Sequence, residues 1–463
     1  METESSHNKK RQIQLIKKFE AALQSGKLPF FEEEDLCLIC DHYLTKEDFN
    51  GADYVINLGL KIYPNSSELL VCKVKYLIAN KNFKEAQQII DKEISFPDDE
   101  QEIGLLKARI LYELGKKDEA FDIFRYLIEN EKENKDEIYC DIAYIFSEMR
   151  IFSTAISFLK KSLSIKHENI EALFELAFCY QQTGDFEKAE EAYESILDIN
   201  PYSNKTWFAL GALHFQNENF KNAAEAYDYA YIINPKDYES LLQKANSLYF
   251  NDQSKEAIDA YEEYLDVSNP TSHVLICLGE CFEKIENYDA AISAYKRALE
   301  ITPQSDIAWA NMAISYLELE EYGLAKECIT TAIEIDDSKF DYWVYLAEIY
   351  IALNDSGSAL YCYNKSLNLN PNFPETILSI GSIYFDSGNF EDALHYYLTA
   401  FDLSPETENL ALYISLTYYK LGDVKNAKSY FSIALFATPE AKVLFKEICP
   451  EAINDPDFSE LID

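Results

Sequence analysis

The residues best equipped for chemistry in this chain are its cysteines and histidines, and their spacing decides what they can do. Cys37-Leu38-Ile39-Cys40 has the CxxC form shared by redox dithiols and halves of zinc sites. Zinc needs four ligands, so a second Cys or His pair at matching spacing has to follow, and none does. A redox dithiol opens a helix that comes out of a strand; this pair sits inside an apolar helical pattern between Leu36 and Tyr43. Reduced cysteines in that setting pack as small hydrophobes, and Cys277 with Cys281 reads the same way. The histidines (His7, His42, His167, His214, His273, His395) are too dispersed to converge, and His42 beside Asp41 has no third partner. Glycine-rich phosphate loops and the Gly-x-Ser-x-Gly elbow are absent. The sequence therefore gives no catalytic, cofactor-binding or metal-binding residues, and the expectation is a non-enzymatic protein with no cofactor.

Charge narrows the partners. The chain of 463 residues has 81 acidic against 41 basic residues, a formal charge of −40. Such a surface repels nucleic-acid phosphates and anionic membranes and suits a basic or apolar partner. No run of 18 apolar residues is present, so no membrane insertion is expected. The opening METESSHNKKRQIQ lacks the apolar stretch of a secretory signal. Ten cysteines, most of them inside apolar helical patterns, fit a reducing cytoplasmic location.

The elements that carry these residues recur. With 48% apolar residues and only 13 Gly and 13 Pro, the chain has ample core material and few turns. The segment from Asn204 to Pro235 carries Trp207, Leu210, Gly211, Ala223, Tyr227, Ala230 and Pro235. Steps of 34 residues repeat this arrangement, placing Trp309 and Trp343 in phase with Trp207 and bringing up Gly279, Tyr295, Gly381 and Tyr397. One extra residue is needed before Asp136. Twelve units result, starting at Glu33, Ser67, Gln101, Asp136, Ile170, Asn204, Tyr238, Ser272, Asp306, Phe340, Pro374 and Glu408. Each reads as two helices with apolar residues three and four apart. Small residues at positions 8 and 20 let the pair approach, and glycine at position 15 (Gly115, Gly184, Gly388, Gly422) suits a left-handed stop. Proline at position 32 closes the second helix.

These positions resemble the tetratricopeptide-repeat (TPR) signature over residues 33–441, and the chain is similar in style to acidic all-TPR bacterial proteins, many of them uncharacterised. The resemblance implies an all-α, right-handed superhelical solenoid of about twelve helix-turn-helix repeats with N- and C-terminal capping helices. Residues 1–32 are expected to supply a tail and a first cap whose Ile13, Ile16, Phe19 and Leu23 share one side, followed by the connector Leu28-Pro29-Phe30-Phe31. Residues 442–463 are expected to form a short capping helix, Lys442 to Ile448, and an acidic tail from Pro450.

In TPR proteins, first-helix positions 2, 5, 9, 12 and 13 face the concave side. The resemblance thus assigns Tyr144, Phe174, Phe178, Phe208, Phe215, Asn246, Tyr249 and Phe250 to a peptide-binding groove, flanked by Glu171, Glu239, Glu280, Glu283 and Glu348. The expected ligand is a protein or extended peptide with apolar anchors and basic flanks. A chaperone C-terminal tail is not expected, because Asn246 stands alone, position 5 carries no lysine and Lys205 is an isolated base. The function implied is a protein-interaction scaffold or adaptor. The rival readings are a structural subunit of a larger or self-associating assembly, and a regulator of a separately encoded enzyme.

Overall fold

The computed structural model describes residues 13–23, 29–92, 100–407, 409–437 and 441–450. His7, Leu28, Glu408, Pro439 and the acidic tail after Pro450 lie outside the described residues, as do residues 9–12 and 24, the ends of the first cap, whose helix the sequence places at residues 9–24. The described residues are all-α and fall into two compact units, Met1–Asn217 and Glu218–Asp463.

In the first unit, a helix over residues 13–23 precedes five helix pairs, from Glu33–Thr45 with Phe49–Ile62 to Ile170–Gln182 with Phe186–Ile199, and the helix Asn204–Gln216 follows. In the second unit, the helix Phe220–Ile233 leads six pairs, from Tyr238–Phe250 with Ser254–Val267 to Leu410–Lys420 with Val424–Ala437. The helix Ala441–Ile448 ends it.

The pairs close over the small residues read from the sequence. Ala52, Ala86, Ala120, Ala155 and Ala189 in the first unit are fully buried, as are Ala223, Ala257, Ala291, Ala325, Ala359, Ala393 and Ala427 in the second. Each sits where a larger side chain would hold two helices apart. Tryptophan and the closing turn are linked as well. Trp207 Nε1 donates to the Pro201 carbonyl at 2.9 Å, and Trp309 Nε1 to that of Pro303 at 3.1 Å. The carbonyl of a turn just past a helix thereby finds a donor in the indole of the next repeat in sequence.

Among the described residues the turn that follows each first helix is left-handed at twelve positions, yet glycine occupies it only at Gly115, Gly184, Gly388 and Gly422. Glu47, Lys81, Arg150, Glu218, Asp252, Glu286, Glu320 and Asn354 hold φ of 55–61° there. The tight stop is imposed by the packing of the two helices, and a side chain accepts the local cost. Glu320→Gly is therefore expected to stabilise the second unit by about 1 kcal/mol. Denaturant unfolding followed by the fluorescence of Trp309 and Trp343 measures this.

Both ends are covered. Phe19 is fully buried, with its ring 5.4 Å from that of Phe31 and 6.4 Å from Tyr43. The covering face is Ile16, Phe19 and Ala22, whereas Ile13 and Leu23, expected on it, are exposed. Steps of three residues keep those buried positions on one stripe of the helix. At the other end Phe445 is fully buried, 4.7 Å from Phe431.

Candidate functional site

The apolar side chains predicted for a groove lie along the first helices of the pairs. In the first unit, Tyr144 joins two clefts. One, of about 420 Å³, is lined by Gln101, Glu102, Leu105, Arg109, Asp141 and Tyr144. The other, of about 330 Å³, is lined by Tyr144, Ser147, Arg150, Phe152, Glu175 and Phe178. Tyr144 and Phe178 are each 38% exposed, enough for a ligand to reach while their remaining surface is held by neighbours. Phe152 holds Phe178 edge-on at 6.2 Å. Arg109 bonds Glu148, and Gln101 Nε2 donates to Asp141 at 3.0 Å. Burial, reinforced by Glu175 and Glu171, pushes the Tyr144 hydroxyl up to about 12, and burial also raises the Asp141 carboxyl.

Phe174, Phe208 and Phe215 are half-buried. Phe174 has the Lys205 ammonium 4.1 Å above its ring and Tyr193 edge-on at 5.4 Å. Lys205, read from sequence as an isolated base, is thus a lid on an aromatic face. A ligand reaching that face has to displace it.

In the second unit, Phe250 is 53% exposed and stacks on Phe220 at 5.4 Å, with Tyr249 edge-on at 5.1 Å. Tyr249 carries the Lys284 ammonium 5.1 Å from its ring and donates its hydroxyl to Glu280 at 2.7 Å. Asn246 is less available than expected. Its Oδ1 accepts from the Tyr261 hydroxyl at 2.8 Å, and its Nδ2 donates to Gln243 at 3.3 Å. Structure thus brings together Tyr144 with Phe178, and Asn246, Tyr249 and Phe250 on one helix. Reading the sequence missed Phe152 and Phe220, each opening the second helix of its unit, and it missed Arg109 at a first-helix position 9. The recurrence of Phe49, Phe83, Phe152, Phe186 and Phe220 at position 17 was the available signal.

A second cluster forms around Glu280 and Glu283, one turn apart on Ser272–Lys284. Glu280 accepts from Tyr249 and from Asn311 Nδ2 at 2.9 Å, and Glu283 from the Ser315 hydroxyl. Burial pushes the Glu283 carboxyl from its ordinary 4.5 up to about 7, against the lowering effect of the Ser315 and Tyr295 hydrogen bonds and with help from Glu280 and Glu318. Burial and then Glu318 raise Glu348 as well. Between pH 4.5 and 7 the folded chain thus holds a proton at Glu283 that the unfolded chain releases. Stability falls as pH rises through that window. Glu283→Gln is expected to flatten the slope and to gain about 2 kcal/mol over the native chain at pH 8, measured by denaturant unfolding at pH 5, 6, 7 and 8.

The remaining sequence candidates are structural. Cys40 and Cys72 are buried in one apolar cluster and Cys37 packs against it. His214 is buried, with Nε2 3.7 Å from Glu190. Among the described residues, no group of His, Cys, Asp and Glu is placed to hold a metal ion, and no helix is long and apolar enough to cross a membrane.

Comparison with known families agrees with this architecture. Tetratricopeptide-repeat models match residues 104–133, 152–212 and 378–442. A model of anaphase-promoting complex, cyclosome, subunit 3 matches 216–298, and one of ChAPs (Chs5p-Arf1p-binding proteins) matches 317–377. No curated protein matches the chain. Among solved structures, the APC/C hetero-tetramer Cut9–Hcn1 is 14% identical, covering 94% of this chain and 96% of that one, with a TM-score of 0.38. The C-terminal part of a TPR repeat-containing protein from Cytophaga hutchinsonii is 19% identical over 51% of this chain and 96% of that one, with a TM-score of 0.44. YrrB, a TPR protein with an unusual peptide-binding site, is 18% identical over 41% and 97%, with a TM-score of 0.36. The chain is a tetratricopeptide-repeat protein. By class it is an all-α solenoid of the protein-interaction scaffold type.

Proposed function

We propose that the chain is an adaptor that binds a protein or extended peptide along the first-helix faces of its units. The observation that carries this reading is the pair of adjoining clefts in the first unit, walled by Tyr144 and Phe178. Half-exposed aromatic side chains held rigid by neighbours lose little entropy on binding, which is why such residues dominate interface energies. The face Phe220, Tyr249 and Phe250 offers the second unit the same chemistry. Acidic flanks such as Glu175, which lines the second cleft, and Glu280 favour basic residues around the ligand's apolar anchors. The proposed groove residues are Tyr144, Phe174, Phe178, Phe208, Phe215, Tyr249 and Phe250, with Asn246 acting chiefly through Tyr261.

A pull-down from native extract tests this by comparing the intact chain with a Phe178→Ala/Tyr249→Ala variant. A partner retained by the first and lost by the second supports the groove; the same partners on both refute it. The match of residues 216–298 to a model of a subunit of a large complex favours a second reading, in which the chain is itself such a subunit. In that case the variant keeps its partners and the chain's mass in solution rises with its concentration.

A further inference from the structure

The second unit ends on a surface whose chemistry reverses that of the rest of the chain. Acids outnumber bases 81 to 41 overall, yet the described residues 424–437 and 441–450 hold four lysines and one glutamate. The helix Val424–Ala437 turns Ala427, Phe431 and Ala434 inward at steps of four and three. That leaves Lys425, Ile433 and Phe436 on its exposed face. Phe436 is 95% exposed, more than any other large apolar side chain among the described residues, and Ile433 is 45% exposed. The closing helix Ala441–Ile448 buries Ala441 and Phe445 and leaves Val443 58% exposed, with Lys442 and Lys446 half-buried on either side of it in sequence. A cleft of about 180 Å³ adjoins this face, lined by Leu412, Ile433, Ala434, Ala437 and Ala441, with Glu406 as the acid among its lining residues. An outer helix face normally carries the polar residues that solvate it; a bare aromatic beside an apolar cleft marks an interaction surface instead.

We propose that this surface docks an acidic segment of a partner polypeptide. One apolar side chain of the segment enters the cleft beside Ile433, a second covers Phe436, and its carboxylates meet Lys425, Lys442 and Lys446. Lys425 and Ile433 are eight residues apart on one helix, a rise of about 12 Å. An extended segment spans that distance in about four residues, which sets the spacing between anchor and carboxylate. The surface is independent of the groove. It is built from a second helix and the closing helix, and it asks the opposite charge of its ligand. The formal charge of −40 on the whole chain repels an acidic ligand, so a preference for one has to come from this local surface.

The test uses the full chain and two fluorescein-labelled peptides, one with glutamates on both sides of a phenylalanine and a leucine, the other with glutamines in their place. Fluorescence anisotropy at low salt is expected to show the glutamate peptide binding about tenfold tighter, and the difference is expected to shrink at high salt. Phe436→Ser is expected to weaken the glutamate peptide about tenfold. Lys425→Gln together with Lys442→Gln is expected to erase most of the preference. Lys255→Gln, at an exposed lysine elsewhere in the unit, is expected to leave it unchanged. Equal binding of the two peptides overturns the proposal, and so does a preference that survives Lys425→Gln with Lys442→Gln. Binding that appears only after Asp455→Asn, Asp457→Asn and Glu460→Gln assigns the surface to the chain's own C-terminal residues and overturns the partner. Failure of both peptides to bind, with a mass in solution that rises with concentration until Phe436→Ser abolishes the rise, assigns it to a second copy and likewise overturns the proposal.

Discussion

Gly279→Val is expected to destabilise the second unit by about 3 kcal/mol. Even the first carbon of the new side chain would stand 2.4 Å from the ring of Tyr295, which is fully buried and cannot swing away. The strain falls where Tyr295 packs into an apolar cluster with Leu275, Ala291 and Ala308, so relief requires moving one helix against its neighbours. Gly323→Ala is the control. A Cβ there meets nothing within 4 Å, and because the residue lies inside a helix the change is expected to stabilise by about 1 kcal/mol. Denaturant unfolding read through Trp309 and Trp343 separates the two outcomes. Opposite signs for two glycines in one unit would show that the close helix approach, and not backbone freedom, is what position 8 demands.

The second large effect concerns binding. Phe178→Ala and Tyr249→Ala together are expected to weaken a captured partner roughly 30- to 900-fold, because each removes an aromatic anchor of roughly 1–2 kcal/mol. Phe178 is 38% exposed, which leaves part of its ring open to a partner. Tyr249 also supplies a hydrogen bond to Glu280, and Tyr249→Phe separates that bond from the ring. Affinity that falls with Tyr249→Ala but not with Tyr249→Phe assigns the effect to the aromatic surface. Titration calorimetry with the purified partner gives both numbers, and unchanged helicity by circular dichroism shows that the variants fold.

Much of the fold could be read from one recurring demand, that two helices pack closely every 34 residues. Alanine at the twelve position-20 sites, such as Ala223 and Ala291, met that demand visibly, and all twelve are fully buried. Tryptophan in phase was legible too, though not that its indole N–H bonds the carbonyl of the preceding turn. The left-handed stop was readable only where glycine marked it. At Lys81, Asp252 or Glu320 the same φ is forced by tertiary packing, which no local preference announces. For the site, spacing identified helix faces but not partners. Lys205 over Phe174, Tyr261 on Asn246 and Phe152 beside Phe178 all come from another helix, beyond the reach of a periodic reading.

Site-specific photo-crosslinking tests the central claim most directly. Benzoylphenylalanine placed at Phe178 or Phe250, on first helices, is expected to cross-link the partner. The same probe at Tyr126 or Tyr229, exposed residues of second helices, is expected to give none. Cross-links confined to Tyr126 and Tyr229 would contradict the account and move the working surface to the second-helix faces.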